Sequence, residues 1–500
     1  VIIVAALALP LIFLVVEADG SGAGSVWHLI DRSLTAQLLW NTVRLTVVVC
    51  VLCAVVGTLA AYGVERTNLP GRHIWAVLVV VPLAIPDFVV SFGWASLWTW
   101  MQGFRGAVVV MTLSVYPLVY LPVAASLRVA DPGQEELARA LGASRLSVFF
   151  RITLGQARRA LLGGCLLVTL VVLAEYGAVQ ILGYQTFTTE IFTEFSVGFD
   201  TASACALSLV LVVISLVFVV GEAKVRGGGR DHATRGSRRP LVPVRLGLAT
   251  APVLVGFVAL TGAALGVPVG SCIYWMFQGG GGAASGVSGV SVGSAALTTA
   301  SYSAAAAFVA TLAAVPVALL TIRHPRRLHS ALERSTILVL AMPGLVIALA
   351  ISYFSEHYVA SFGYQSAPLL VVAYAILFFP LALVGVRTSL LQAPPALEEV
   401  AGSLGVSKLA VLWRVTLPLV APGLGAAFCL VFLSAATELT ATLILVPTGA
   451  QTLATQFWAY QQNLSYGQAA PFALAMIAIA AVPSYALSRF FDRLPGSKRR

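Results

Sequence analysis

The sequence predicts an all-α integral membrane protein of about twelve transmembrane helices, arranged as two homologous halves of six. Three observations carry that prediction. Only 10% of the 500 residues are charged, 59% are hydrophobic and the mean hydropathy is +0.93, whereas a soluble domain carries about 25% charged residues. Apolar runs of about 20 residues, the length a bilayer asks of a helix, recur along the whole chain. The second half also repeats motifs of the first at a constant offset.

The runs come in order. The first, 1–16, is short; the chain opens on Val, so the start of this helix is expected to lie upstream, with a cleaved signal peptide as the alternative. Runs at 36–63, 74–100, 107–127, 161–182 and 201–221 complete the first half, 1–221. Residues 222–246 are polar, Gly-rich and basic, and read as a flexible cytoplasmic linker. The second half, 247–488, holds runs at 247–269, 297–322, 336–354, 367–386, 421–446 and 468–488, followed by a basic cytoplasmic tail, 489–500. Pro86 and Pro343 predict a kink in the third span of each half.

Charge sets the orientation. Of 30 Lys and Arg, 27 fall in alternate loops, leaving Arg32, Arg44 and Arg105 for the other side. The positive-inside rule therefore places both termini in the cytoplasm. The same distribution disposes of nucleic acid as a partner, because the net charge of +10 is spread over six segments rather than gathered into a patch. The partner of this surface is the lipid bilayer.

Several chemistries find no support. The six cysteines lie in or beside apolar runs, so neither a disulfide framework nor a zinc site is indicated. Cys50 and Cys53 form a CxxC, but inside an apolar helix, where small packing residues compete with a redox role. Histidines 28, 73, 232, 324, 329 and 357 fall in loops or at span ends, with no metal site among them. A P-loop needs Gly-Lys before Ser or Thr, yet none of Lys224, Lys408 and Lys498 follows a Gly. The chain cannot hydrolyse ATP alone, and no catalytic set is present.

A shift of 263 residues lays Tyr116-Pro117 on Phe379-Pro380, Glu135-Glu136 on Glu398-Glu399, Gly142 on Gly405 and Glu175 on Glu438. Six spans is an even number, so the second copy enters with the orientation of the first, and a parallel pseudo-twofold along the membrane normal follows. A solute path between the halves is the natural consequence.

The longest cytoplasmic loop of each half carries the most information. The first reads Glu136-Leu-Ala138, three residues, Gly142, nine residues, then Ile152-Thr-Leu154-Gly155; the second reads Glu399-Val-Ala401, three residues, Gly405, nine residues, then Val415-Thr-Leu417-Pro418. Asp131 before Pro132, with Gln134 beyond it, predicts a capped helix start, and Pro394-Pro395 takes that place in the second copy. Gly142 and Gly405 are expected to turn the chain where a side chain would clash. The product is a short helix along the membrane face, a tight turn and a helix returning into lipid.

This spacing resembles the EAA loop of the membrane subunits of ATP-binding-cassette importers, Glu-Ala-Ala, three residues, Gly, nine residues, Ile-x-Leu-Pro. The resemblance covers nearly the whole chain. It implies the type I importer permease architecture, and the fused two-half form is similar to ferric-iron, thiamine and phosphonate permeases. It further implies that Glu135, Glu136, Ala138, Gly142, Ile152 and Leu154 couple to an ATPase, as do Glu398, Glu399, Ala401, Gly405, Val415, Leu417 and Pro418. Leu137 and Val400 replace the middle Ala, and Gly155 replaces the final Pro of the first copy. The implied partners are two copies of an ATPase subunit, which hold ATP and magnesium, and an extracytoplasmic solute-binding protein. No cofactor is expected in this chain, which would reside in the bacterial cytoplasmic membrane.

Three acids fall within predicted spans: Asp87, Glu175 and Glu438. A carboxylate at the bilayer centre costs about 2.5–3.5 kcal/mol on insertion scales, so such groups face a bundle interior or water. All three are assigned to the translocation path, Glu175 and Glu438 opposite one another in its outer half. For Asp87 a local pairing is the alternative; for the glutamates it is a bond to a neighbouring helix. Glu175-Tyr-Gly also looks like the acid-aromatic-Gly of related permeases. An ion-gradient transporter with two parallel six-span halves is the rival from another class, and the paired loops speak against it. Ferric iron is the expected cargo.

Overall fold

The computed structural model describes residues 2–20, 32–198, 200–226, 243–278, 291–323, 335–336, 338–358 and 365–492. Most of the 222–246 linker, the end of the tail and His28, His232, His324 and His329 lie outside them.

The first half runs through α1 (Ile2–Gly20), α2 (Ser33–Arg66), α3 (Asp87–Ala95), α4 (Gly103–Val115), α5 (Pro117–Val129), α6 (Pro132–Ala140), α7 (Leu154–Ala174), α8 (Gly177–Ile181), α9 (Phe187–Ser196) and α10 (Thr201–Arg226). The second runs through α11 (Thr250–Thr261), α12 (Val267–Gln278), α13 (Val292–Arg323), α14 (Gly344–Tyr358), α15 (Ala367–Leu377), α16 (Phe379–Gln392), α17 (Pro395–Ser403), α18 (Leu417–Ala436), α19 (Thr440–Leu445), α20 (Leu453–Gln462) and α21 (Tyr466–Asp492). Among the described residues, eight helices are long and apolar enough to cross a membrane, and ten when each of two sharply bent pairs is one span.

Several expected spans are interrupted rather than continuous: 367–386 bends by 55° between α15 and α16, and 336–354 breaks at Pro343, just before α14. The 74–100 run turns by 93° between Arg72–Ala84 and α3, at Pro86, whose ring disfavours helix in the residue before it. The 161–182 and 421–446 runs both break at their glutamates, between α7 and α8 and between α18 and α19. An apolar run has the same composition broken or whole, and hydropathy does not register the break.

Packing divides the chain into two compact units. One comprises Trp27–Phe199 and Val210–Tyr274; the other comprises Val1–Val26, Asp200–Leu209 and Trp275–Arg500. The units therefore cross the linear division at the first helix of each half. In the unit that holds most of the second half, Phe13 of α1 meets the rings of Phe354 and Tyr358 at 5.1 and 5.4 Å. Glu17 there accepts a 2.7 Å hydrogen bond from the Tyr353 hydroxyl. In the unit that holds most of the first half, Phe257 of α11 lies 5.5 Å from the Trp75 ring.

Each unit is built around three mutually packed helices. In one, α2, α5 and α7 converge on Val119. A Cβ added at Gly57 or Gly164 would lie 2.9 Å from the Val119 Cβ or 2.8 Å from its Cα, so only glycine permits this approach. In the other, α13, α16 and α18 pack together with Ala314, Ala382 and Ala427 fully buried. Small residues at both crossings fit the membrane rule, where close backbone approach replaces the hydrophobic drive of water.

Candidate functional site

The two longest loops fold into matching knobs. In the first, the Asp131 carboxylate accepts the Gly133 N–H at 2.9 Å and starts α6, with Pro132 in the first turn where a missing N–H costs nothing. Gln134, expected to take part in this helix start, instead accepts a 3.0 Å bond from the Gln156 side chain. The helix ends as the Ala143 N–H bonds the Ala138 carbonyl and the Gly142 N–H bonds the Arg139 carbonyl, each at 3.0 Å. That pair of bonds satisfies orphan carbonyls and requires a left-handed residue between them. Gly142 supplies it at φ +85°.

The second knob repeats this helix end bond for bond, although its start at Pro394 has no side-chain cap. Val406 N–H bonds the Ala401 carbonyl at 3.2 Å, Gly405 N–H bonds the Gly402 carbonyl at 3.0 Å, and Gly405 stands at φ +80°. The expectation that a side chain would clash at these glycines is corrected: nothing lies within 4 Å of an added Cβ at either. What demands glycine is the backbone angle, which costs an L side chain roughly 1–2 kcal/mol.

Beyond the turn, each returning helix starts with one α turn, Arg145–Val148 and Lys408–Val411, and passes at once into a π turn, Phe149–Thr153 and Leu412–Thr416, 263 residues apart. Ile152 and Leu154, and likewise Val415 and Leu417, are half-buried around it, whereas Pro418 is exposed. Gly155 in place of that proline leaves the π turn unchanged, so the turn does not depend on the ring.

The paired acids separate by helical phase. Glu136 and Glu399 are exposed. Glu135 turns inward, 8% exposed, and accepts from Arg66 at 3.0 Å, from the Thr153 hydroxyl at 2.8 Å and from Arg139 at 3.5 Å. Glu398 is half-buried and accepts from the Thr416 hydroxyl at 3.1 Å. A Glu and a Thr 18 residues apart thus close each knob, and that repeated spacing is a signal the sequence carried unread.

A second unread signal is apolar. Leu137, Leu141, Leu146 and Phe150 are exposed on the first knob, and Val400, Leu404, Leu409 and Trp413 are exposed at the same four positions of the second. Leu141 and Leu404 are 79% and 78% exposed. Large apolar side chains grouped on a charged loop mark an interaction face.

The intramembrane acids sit at helix ends. Glu175 is the extended residue closing α7, and its Oε1 accepts the Ala178 N–H of α8 at 2.7 Å. Glu438 repeats this with the Ala441 N–H of α19 at 3.0 Å. It also lies against the start of α14, since an added Cβ at Gly344 would meet its Oε1 at 3.3 Å. Helix N-termini carry partial positive charge and unpaired donors, which offset the cost of a carboxylate in an apolar setting. Asp87 is the first residue of α3, where the same argument applies.

The segment after each glutamate is pinned alike. Thr186 with Thr189, and Thr452 with Thr455, form reciprocal caps at the starts of α9 and α20. The Phe187 N–H bonds the Thr42 hydroxyl at 3.1 Å, and the Leu453 N–H bonds the Thr299 hydroxyl at 2.9 Å. These offsets, 266 and 257, differ from 263, which is why one sequence shift passes over them.

Known proteins agree with this plan. The family model described as "Binding-protein-dependent transport system inner membrane component" matches residues 54–221 and again 306–499. The chain is 35% identical over 97% of its length, and 96% of the relative's, to the Fe(3+)-transport system permease protein FbpB 2 of Haemophilus influenzae. It is 24% identical to the ferric transport system permease protein FbpB of Actinobacillus pleuropneumoniae, over 95% of this chain and 73% of that one. The sulfate transport system permease protein CysW of Synechocystis is 30% identical over 43% of this chain and 85% of its own. With the family pattern present twice, at the two knob-bearing halves, the chain belongs to the inner-membrane components of binding-protein-dependent transport systems, as a fused multi-pass permease of the ATP-binding-cassette class.

Proposed function

We propose that this chain forms the translocation path of a ferric-iron importer, that one copy of a separate ATPase subunit docks on each knob, and that an extracytoplasmic binding protein delivers the iron. Both termini then lie in the cytoplasm with the knobs, and ATP and magnesium are held by the ATPase. The observation that carries this reading is the duplication of the knob. The left-handed glycine, the π turn, the exposed acid and four exposed apolar positions recur 263 residues apart, as two copies of one partner require. The exposed glutamates Glu136 and Glu399 supply charge beside the apolar quartets. Ferric iron is favoured over thiamine or a phosphonate by the relative named for Fe(3+) transport, which aligns across both halves. In the path, Asp87, Glu175 and Glu438 attract a cation when the outward mouth is wet.

Reconstitution tests the reading. Liposomes holding the permease should take up iron only when the ATPase, ATP and iron-loaded binding protein are all supplied. Asp at both Leu141 and Leu404 should abolish ATPase co-purification while leaving the permease folded, because both side chains are exposed. Uptake driven by an ion gradient without ATP would overturn the proposal.

A further inference from the structure

The buried acid of the first knob joins three parts of the chain. Its carboxylate takes the Arg66 guanidinium at 3.0 Å and the Thr153 hydroxyl at 2.8 Å. Arg66 is the last residue of α2 and only 6% exposed; Thr153 closes the π turn and is 2% exposed. The Arg66 carbonyl, in turn, accepts the Val244 N–H at 2.8 Å, and the Asn68 N–H returns to the Val244 carbonyl at 3.1 Å. Asn68 Oδ1 then takes the Leu246 N–H at 2.9 Å. This short parallel bridge holds the residues that lead straight into α11.

We propose that Arg66, Glu135 and Thr153 form an internal brace that passes displacement of the first knob to α2 and to the strand entering the second half. Glu135 is then a positioning residue for transport and makes no contact with the ATPase. The geometry requires this division of labour. Glu135 is only 8% exposed, its Oε1 holds the Arg66 guanidinium and the Thr153 hydroxyl, and its Oε2 meets Arg139 at 3.5 Å. Little of the carboxylate is therefore left for an outside protein, whereas Glu136, one residue on, is exposed. The pair is also the stiff kind of link, since a buried charge-assisted bond cannot be exchanged for water without exposing both charges. Linkage through Arg66 is shared between side chain and carbonyl, so a shift of the knob moves the α2 end and the incoming strand together.

The inference rests on the ATPase docking at the knobs, and the test separates the two. The full complex is reconstituted with Arg66→Met and Glu135→Met together, which removes both charges and strands neither. ATPase co-purification reports docking; iron moved per ATP hydrolysed reports the brace. Co-purification should be unchanged, while iron per ATP falls at least about fivefold, the low end of ordinary coupling between sites. Thr153→Val, which removes one hydroxyl and keeps the ion pair, should lower the same ratio by a smaller factor, and it carries the test if the pair variant does not assemble. A wild-type ratio in an assembled pair variant, or in Thr153→Val, overturns the brace. Loss of co-purification in the pair variant with Thr153→Val normal would return Glu135 to the docking surface. Wild-type permease that fails to hold its ATPase would instead defeat the docking reading.

Discussion

The two knobs share a backbone and differ in what stands behind it. Both have the left-handed glycine, the two end bonds and the π turn, and both tie a Glu to a Thr 18 residues on. In the first, the acid is buried with Arg66 and Arg139; in the second, it is half-buried against Thr416. The first carries Arg139, Arg151, Arg158 and Arg159, where the second has Gly402, Arg414, Ala421 and Pro422. The outward face has thus been kept while the basic residues around it have diverged, since Arg139, Arg158 and Arg159 have no basic counterpart in the second knob.

The sharpest way to break the comparison is at the glycines. Leu at both Gly142 and Gly405 should leave the protein in the membrane and abolish ATP-driven uptake, with each single variant giving a partial loss. Wild-type uptake and wild-type stimulated hydrolysis in the double variant would remove the knobs from the mechanism. The next largest difference lies in the acids. Glu135→Ala strands a buried guanidinium and should cost about 3–5 kcal/mol, whereas Glu398→Ala removes a half-buried acceptor and should cost about 1.5–3 kcal/mol. Denaturation of the detergent-solubilised variants measures both, and equal losses would mean that the two supports are equivalent. The smallest effect is expected at Glu175 and Glu438. Gln at both keeps the shape and an oxygen for the Ala178 and Ala441 N–H groups while removing charge. Uptake of a cationic cargo should slow several-fold with assembly unharmed; wild-type uptake would leave the glutamates as helix caps alone.

How much of this was legible follows from what sequence records. Composition and run length give the membrane class and the helices, and a single offset gives the knobs, because their spacing is fixed by local geometry. The breaks at Glu175 and Glu438 were hidden inside uniform apolar runs. Which of Glu135 and Glu136 turns inward depends on helical phase relative to Arg66, a residue 69 positions away, and no local pattern encodes it. The apolar quartets were visible as letters but not as exposed, since Leu in a membrane protein is ordinarily assigned to lipid. Packing of α1 beside α14 is a long-range fact with no spacing of its own.

That last feature sets a timetable for synthesis. Phe13 leaves the ribosome 341 residues before Phe354, the ring it finally meets. At about 5–20 residues per second, the interval is on the order of tens of seconds. Throughout it, α1 is already made but without its final neighbour, and the unit holding most of the first half likewise waits for α11. Neither unit can be finished when the first half is complete. The chain is one gene product in a stronger sense than its linker conveys: the order in which its helices appear obliges the two units to mature together.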